Sequence, residues 1–201
     1  MKPVRILIKK VMIGIETLII PFWLKRVKKV KIFGKLIISG IPLIDIRDNG
    51  SLLIDDNVHL DSFNLGYHIN LHSSVKIFIE KNGEIFIGKN TRIHGSCIHS
   101  SDKIRIGSNC LISGNCQIMD NSGHDLSFEN VENRINTSGT PKPVFIEDNV
   151  WICANCIILP GVRIGNGSII TAGSVVVNDI PPKVLAGGNP AIIIKEYSKK
   201  K

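Results

Sequence analysis

The chain has 201 residues, a formal net charge of +8 and only 5% aromatic residues. This length suits a single domain, and the low aromatic content favours a narrow core of aliphatic side chains. Residues 1–31 hold nine basic residues and one acidic residue, which equals the whole net charge. The remainder is neutral, so the sequence predicts no surface for nucleic acid, and the basic character belongs to the N-terminus alone.

Residues 4–24 carry apolar side chains at helical spacing, from Val4, Leu7 and Ile8 to Phe22, and predict an amphipathic helix that Pro21 ends. The apolar stretch is too short for a comfortable membrane span, and no cleavage-site pattern follows it. A basic cluster then occupies residues 25–31. Two interpretations remain open: residues 1–31 rest on an anionic membrane, or the helix caps a neighbouring domain.

A repetitive region begins at Ile46. Residues 46–60 and 79–93 repeat one pattern, with Asn-Gly between apolar runs, thirty-three residues apart. The chain therefore divides into a basic amphipathic segment (1–45), a repeat domain (46–181) and a C-terminal tail (182–201).

The repeat is clearest after residue 145, where an aliphatic residue returns at every sixth position. Four positions after each of these aliphatic residues, the chain has a small or β-branched residue. A six-residue repeat fits neither an α-helix nor an ordinary β-strand. It predicts an all-β solenoid, namely a parallel β-helix in which three six-residue repeats form one coil. The aliphatic positions, expected to point inward, are Ile146, Ile152, Ile158, Ile164, Ile170 and Val176.

The five cysteines are expected to be free thiols, most of them buried. Four of the cysteines are assigned to the fifth position of a six-residue repeat, where a small inward side chain is needed: Cys97, Cys110, Cys116 and Cys156. Cys153 is assigned to the second position. No CxxC pair or metal-finger spacing occurs. We therefore expect no metal, a reducing compartment and a cytoplasmic protein, with the inner face of the membrane as the place where its N-terminus would rest.

Earlier in the chain the same register runs through Ile106, Ile112 and Ile118, and His124 occupies the next aliphatic position. A protruding loop at 125–144 then interrupts the repeat. Loops on a rigid scaffold are common places for function, and a histidine at the mouth of one suits a general base. Asp120 or Asp125 would orient it, and spacing does not choose between them.

Two stretches, IRIGSNCLISGNCQIMDNSGHD and VWICANCIILPGVRIGNGSIITAGSVVVNDIPPKVLAGGNPAIIIK, resemble the hexapeptide-repeat acyltransferases over about residues 87–195. The branch they resemble contains the sugar and surface-polysaccharide O-acetyltransferases, related to the maltose and galactoside acetyltransferases. The resemblance implies a left-handed β-helix, a homotrimer and acetyl-CoA bound between subunits. His124 would deprotonate a saccharide hydroxyl, which attacks the thioester directly.

The resemblance also implies that the backbone of Ala154 stabilises the developing negative charge. The residues that match the donor-binding positions of relatives are Trp151, Ala154, Ala172, Val177, Asn178 and Lys195. Val177 and Asn178 stand where relatives often carry Thr-Lys, Ile192 stands where a basic residue is common, and Cys153 replaces a glycine. These departures leave Lys195, with Lys183, to meet the phosphates of the nucleotide.

Three other functions remain as alternatives. An N-acetyltransferase would act on an amino sugar. A non-catalytic scaffold at the membrane edge would use the basic helix as its working part. A zinc hydratase similar to the γ-class carbonic anhydrases would use His59, His94 and His99, whose spacing is roughly suitable for three zinc ligands.

Overall fold

The computed structural model describes residues 2–197, with side chains from Val11 onward. The side chains of Val4, Leu7 and Ile8, predicted on the apolar face of the helix, lie outside the described residues. One α-helix, α1 (Lys2–Leu24), and one 3-10 helix (Val131–Asn136) accompany twenty described strands. The strands are β1 (Val30–Ile32), β2 (Leu36–Ser39), β3 (Leu43–Ile46), β4 (Ser51–Ile54), β5 (Val58–Asp61), β6 (Lys76–Ile79), β7 (Glu84–Ile87), β8 (Arg92–His94), β9 (Cys97–Ser100), β10 (Lys103–Ile106), β11 (Leu111–Ile112), β12 (Gln117–Met119), β13 (Val144–Ile146), β14 (Trp151–Ile152), β15 (Ile157–Ile158), β16 (Arg163–Ile164), β17 (Ile169–Ile170), β18 (Val175–Val176), β19 (Val184–Gly188) and β20 (Ala191–Glu196).

The strands form three sheets, parallel except for the terminal β19–β20 pair, and these sheets are the three faces of a left-handed β-helix. The first sheet has the order β1-β4-β7-β10-β13-β16 and the second has β2-β5-β8-β11-β14-β17-β19-β20. The third sheet has the order β3-β6-β9-β12-β15-β18. Each coil contributes one strand to each sheet, so the described chain winds through six coils before β19. The predicted fold class is confirmed.

The core consists of inward side chains stacked from coil to coil. Ile112 pairs with Ile152, and Ile152 pairs with Ile170, so one aliphatic position recurs on successive strands. All six aliphatic positions predicted after residue 145 are buried, and so are the residues four places after them. Asparagines with positive φ, such as Asn149 and Asn155, turn the corners because their short side chains tolerate the left-handed region.

The solenoid begins earlier than the repeat pattern predicts. Strand β1 pairs with β4 and β2 pairs with β5, so the first coil starts at Val30 rather than at Ile46. Helix α1 packs on this coil, where Ile20 and Leu24 contact the core. Pro21 does not end the helix, since the amide of Lys25 still donates to the Pro21 carbonyl at 2.9 Å. A proline removes only one internal hydrogen bond.

The C-terminal tail also belongs to the solenoid. Strand β19 adds to the second sheet beside β17, and β20 folds back on β19 in antiparallel register. The terminal hairpin therefore covers the last strand of that sheet. In the part of the chain that is described, no helix has the length and apolar content needed to cross a membrane.

A second excursion, residues 62–75, was not predicted. It leaves between β5 and β6 and runs along the corner between the second and third sheets. The amide of His72 donates to Asn115 Oδ1 at 2.9 Å, and Asn115 Nδ2 donates to the Asn70 carbonyl at 2.8 Å. Leu71 is buried against Gly114, where an added Cβ would lie 2.7 Å from its Cδ2 atom. Gly114 at this corner thus makes room for the excursion. The six-residue repeat in the sequence does not indicate that the excursion is there.

Cys97 is not one of the inward residues, contrary to the prediction. It is half-exposed on β9, whereas Ser96 is buried beside it. Ile93 and Ile98 are both buried and lie five residues apart, so this coil is one residue short of the regular six. Cys110, Cys116 and Cys156 are buried free thiols, and Cys153 is partly exposed.

Candidate active site at the excursion after the fourth coil

The longer excursion is tied to the solenoid by a buried carboxylate at its base. The side chain of Asp120 is fully buried, and it accepts hydrogen bonds from Ser100 Oγ at 2.7 Å, the Ser101 amide at 2.7 Å and the Asp102 amide at 3.0 Å. Its carbonyl accepts the Lys142 amide at 2.7 Å. Asp120 thereby joins the two ends of the excursion.

Inside the excursion, side chains bond to the backbone and hold its path. Asn121 Nδ2 donates to the Ser138 carbonyl at 3.0 Å, and Asn121 Oδ1 accepts the Gly123 amide at 2.9 Å. The Arg134 guanidinium donates twice to the Ser127 carbonyl, at 2.8 and 2.6 Å. A loop with this many internal bonds can present a side chain in a defined position.

His124 is exposed on this loop and does not point into the coil. The prediction of an inward position is wrong, because Asp120 takes the next inward place after Ile118 and the chain then leaves the coil. His124 Nδ1 lies 2.9 Å from the Arg134 carbonyl oxygen and 3.1 Å from that of Thr137. A carbonyl only accepts, so Nδ1 carries a hydrogen, and in the neutral imidazole Nε2 then carries the lone pair of a base.

Neither predicted aspartate orients His124. The carboxylate of Asp120 is used at the base of the loop, and Asp125 contacts the loop through its backbone amide, which donates to Thr137 Oγ1 at 2.9 Å. Two main-chain carbonyls hold the imidazole instead. A sequence pattern could not have indicated them, because every residue has a carbonyl.

A pocket of about 510 Å³ opens beside His124, at the corner between the third and first sheets. The excursion supplies its polar wall, which includes Ser122, Asp125 and Thr140. Leu159, Pro160 and Val177 from the next two coils form an apolar wall. The pocket therefore combines a basic imidazole nitrogen with polar groups that suit a hydroxylated ligand and an apolar surface.

Four of the predicted donor-binding residues lie elsewhere, on and beside the second sheet. Four residues on adjacent strands of this sheet form one row of cross-strand neighbours, in the order Trp151, Ile169, Leu185 and Lys195. Trp151 and Lys195, at the two ends of this row, are separated by three strand spacings, or about 14 Å. Trp151 is exposed and its Nε1 donates to Ser113 Oγ at 3.3 Å.

Ala154 and Ala172 occupy the adjoining corner between the second and third sheets on successive coils. The Gly173 amide donates to the Ala154 carbonyl at 2.9 Å, which places the two turns one above the other. Val177 and Asn178 follow the third sheet, and Val177 lines the His124 pocket. A single chain thus brings His124 and Val177 together but leaves Trp151, Ala154, Ala172 and Lys195 on a different edge of the prism.

Two of the cysteine thiols are held neutral by burial. Burial raises the pKa of Cys110 to about 11, and it also raises the pKa of Cys153, the neighbour of Ala154. A neutral thiol is a poor nucleophile.

The three histidines of the zinc alternative do not come together within one chain. His59 and His94 lie on the second sheet, and His99 lies on the third. His99 Nε2 lies 2.8 Å from Glu80 Oε1, and the His94 ring stacks on Tyr67 with centroids 4.6 Å apart. Within residues 2–197, no group of three or more His, Cys, Asp or Glu side chains is placed to hold a metal ion.

Comparison with known proteins identifies similar chains. The sequence profile of bacterial transferase hexapeptide (six repeats) matches residues 143–178. Galactoside O-acetyltransferase of Escherichia coli is 36% identical over 123 residues, which cover 61% of this chain and 59% of that protein. This chain spans 43% to 61% of the length of three curated relatives that it matches.

Solved structures of two proteins are also similar. A hexapeptide-repeat-containing acetyltransferase from Vibrio cholerae is 35% identical, with a TM-score of 0.53 over 61% of this chain and 69% of that chain. The same protein complexed with acetyl coenzyme A gives a TM-score of 0.55 and covers 61% and 66%. A maltose O-acetyltransferase from Clostridium difficile is 28% identical, with a TM-score of 0.53 over 81% of this chain and 71% of that chain.

Proposed function

The chain belongs to the hexapeptide-repeat acetyltransferases, and from this premise we propose that it transfers an acetyl group from acetyl-CoA to a hydroxyl of a sugar or surface polysaccharide. The observation that carries the proposal is the state of His124. Its Nδ1 is held by two carbonyls, so Nε2 is free to accept a proton at a pocket lined with polar groups. A general base must first present a free ring nitrogen within hydrogen-bond reach of the proton that it accepts, and a suitable pKa is the second requirement.

In the proposed reaction, acetyl-CoA supplies the acetyl thioester when bound. His124 Nε2 takes the proton of the acceptor hydroxyl as the hydroxyl oxygen forms its bond to the acetyl carbon. The bond from that carbon to sulfur breaks, and the imidazolium returns the proton to the departing thiolate. The carbonyls of Arg134 and Thr137 stabilise the imidazolium because Nδ1 donates to them throughout.

The row from Trp151 to Lys195 and the Ala154 corner fit an extended donor. The Trp151 ring offers an apolar surface and Lys195 offers a positive charge for phosphate. The turn at Ala154 would offer the Ala154 amide, since the neighbouring amides of Cys153 and Asn155 donate to carbonyls of adjacent coils. In one chain these groups lie on a different edge from His124. We therefore propose a homotrimer in which the donor edge of one subunit meets the His124 pocket of its neighbour.

A membrane-associated glycan is our preferred acceptor over a free sugar. The net charge of the chain is concentrated in its first 31 residues, and a basic N-terminus would keep the enzyme close to an anionic membrane. Lipid-linked saccharides would then be the hydroxyl compounds nearest to the pocket.

The proposal is tested by measuring acetyl-CoA consumption with a panel of sugars, amino sugars and serine. We expect ester products on a saccharide hydroxyl, which alkaline hydroxylamine removes. Products resistant to hydroxylamine on amino sugars would mean N-acetyl transfer instead. Failure to consume or bind acetyl-CoA with any acceptor would overturn the proposal and favour a scaffold.

A further inference from the structure

Helix α1 has two apolar faces, and only one of them is covered. On the covered face, Thr17 Oγ1 donates to the Ile38 carbonyl at 3.2 Å and accepts the Ile38 amide at 3.1 Å. Glu16 accepts the Gly40 amide at 2.6 Å. These bonds tie α1 to the first coil, so the helix does cap the solenoid.

The opposite side of α1, here called the outer face, is apolar and exposed. Its side chains recur at helical spacing, as the covered ones do. Leu18 is 76% exposed and Trp23 is 64% exposed. A contiguous apolar stripe of this kind on a protein surface marks an interaction site. The outer face consists of Val11, Ile15, Leu18, Ile19, Phe22 and Trp23.

Positive charge lies directly beside the outer face. Between Glu16 and Asp45 the chain has six basic residues and no acidic residue. The Arg26 guanidinium lies 3.5 Å from the centroid of the Phe22 ring, so its charge is at the border of the apolar stripe. Only Lys29 is turned inward, toward the carbonyls of Ile46 and Arg47. The basic segment, residues 25–35, has its exposed charges at Lys25, Arg26, Lys28, Lys31 and Lys35.

We propose that the outer face and the basic segment dock together on an anionic lipid surface. Apolar side chains would enter the interface while the basic side chains meet lipid phosphates and carboxylates. Charge complementarity selects this occupant over a second copy of the chain. A symmetric contact through this face would bring two basic segments together, and like charges repel.

Docking of this kind does not depend on the proposed acetyl transfer. The outer face lies on the first coil, whereas His124 and the donor row lie on the fourth coil and beyond. The experiment therefore measures lipid binding alone. Its failure would leave the proposed acetyl transfer standing, and it would remove only the preference for a membrane-associated glycan as the acceptor.

The test uses the full chain and vesicles of phosphatidylcholine with or without 30 mol% phosphatidylglycerol, about 30% anionic lipid being enough for a clearly negative surface. We expect binding only to the anionic vesicles, and weaker binding as salt is raised, since about 8 Å is the screening length at physiological salt. Binding should shift the fluorescence of Trp23 to the blue, and Trp23→Phe should lose that shift while still binding.

Two variants separate the apolar and basic contributions. Lys25→Gln/Lys28→Gln/Lys31→Gln should weaken binding about 100-fold, since each basic residue contributes about fivefold. Leu18→Ser/Phe22→Ser should abolish it at physiological salt. The matched controls are Lys76→Gln/Lys81→Gln on the solenoid and Ile192→Ser/Ile194→Ser in the terminal hairpin, which are exposed residues of the same types. Both controls should bind vesicles like the unaltered chain.

Three results would overturn the proposal. The first is no binding to anionic vesicles at low salt, and the second is equal binding to neutral vesicles. The third is that Leu18→Ser/Phe22→Ser keeps its vesicle binding but changes the oligomeric state in light scattering. In that case the outer face is a contact between copies. Circular dichroism of each variant confirms that the β-helix is retained, so that lost binding reports on the surface itself.

Discussion

At the scale of single residues, catalysis depends on how one imidazole is held. The Arg134 and Thr137 carbonyls leave Nε2 of His124 as the only basic ring nitrogen. We expect His124→Ala to lower kcat by roughly 10²–10⁴, the usual contribution of a general base, with little change in acetyl-CoA affinity. Steady-state kinetics and calorimetry measure the two quantities.

The control for this prediction is His99→Ala, which removes a histidine on the third sheet that contacts Glu80 and Phe78. It should leave kcat within a factor of about two, because the contacts of the His99 side chain are with Glu80 and Phe78 and not with the residues that line the His124 pocket. Unchanged kcat in His124→Ala would remove the imidazole from the mechanism.

Asp120 is the other residue whose substitution has a definite physical consequence. Its buried carboxylate accepts three hydrogen bonds, and Asp120→Asn would aim an amide donor at one of these donors. We expect the free energy of unfolding to fall by about 1–3 kcal/mol, the cost of an unsatisfied buried polar group. Chemical denaturation measures it, and Asp48→Asn, whose side chain is 91% exposed, is the control.

Asp120→Asn also distinguishes a structural role from a catalytic one. Because Asp120 does not contact His124, the variant should keep a pH–rate profile of unchanged shape at temperatures where it is folded. A displaced profile would mean that the carboxylate acts on the imidazole after all.

At the scale of elements, the terminal hairpin brings Lys195 into the row of Trp151. We expect Lys195→Gln to raise KM for acetyl-CoA about two- to fivefold with kcat little changed, the usual contribution of one exposed charge pair. The effect should shrink at high salt. Lys103→Gln, which removes a lysine paired with Glu84 on the first sheet, should leave KM unchanged. Equal effects of the two variants would argue against a phosphate contact at Lys195.

At the scale of the whole molecule, the separation of the two site halves leads to a prediction about assembly. If each site joins His124 of one subunit to the donor edge of the next, the chain must form a ring, and light scattering should give a trimer. Subunits carrying His124→Ala mixed equally with subunits carrying Ala154→Trp should recover about one quarter of the unaltered activity. Each parent alone should be inactive.

The mixing experiment has a clear opposite outcome. No recovery of activity after verified subunit exchange would mean that both halves of the site belong to one chain. A monomer at assay concentration would contradict the shared site directly.

The six-residue period of the sequence is enough to predict the coil. Six residues make one strand and one corner, so the inward positions from Ile146 to Val176 follow from a local period that each coil repeats. The same period marked the long excursion, predicted at 125–144, because a polar stretch cannot fill an aliphatic core, but it kept His124 in the coil although the last inward residue is Asp120. It failed where a coil is one residue short, at Cys97, and where the first coil begins, at Val30.

The surroundings of the candidate site depend on contacts between coils, which the sequence pattern does not predict. His124 is held by backbone carbonyls, which have no signature in a sequence, and Asp120 finds its partners on the preceding coil. Trp151 and Lys195 share a row because β20 folds back on β19. Contacts between these strands determine that pairing, and the six-residue repeat does not. Local periodicity determines which way a side chain points, but the neighbours across a corner are fixed only when the coils stack.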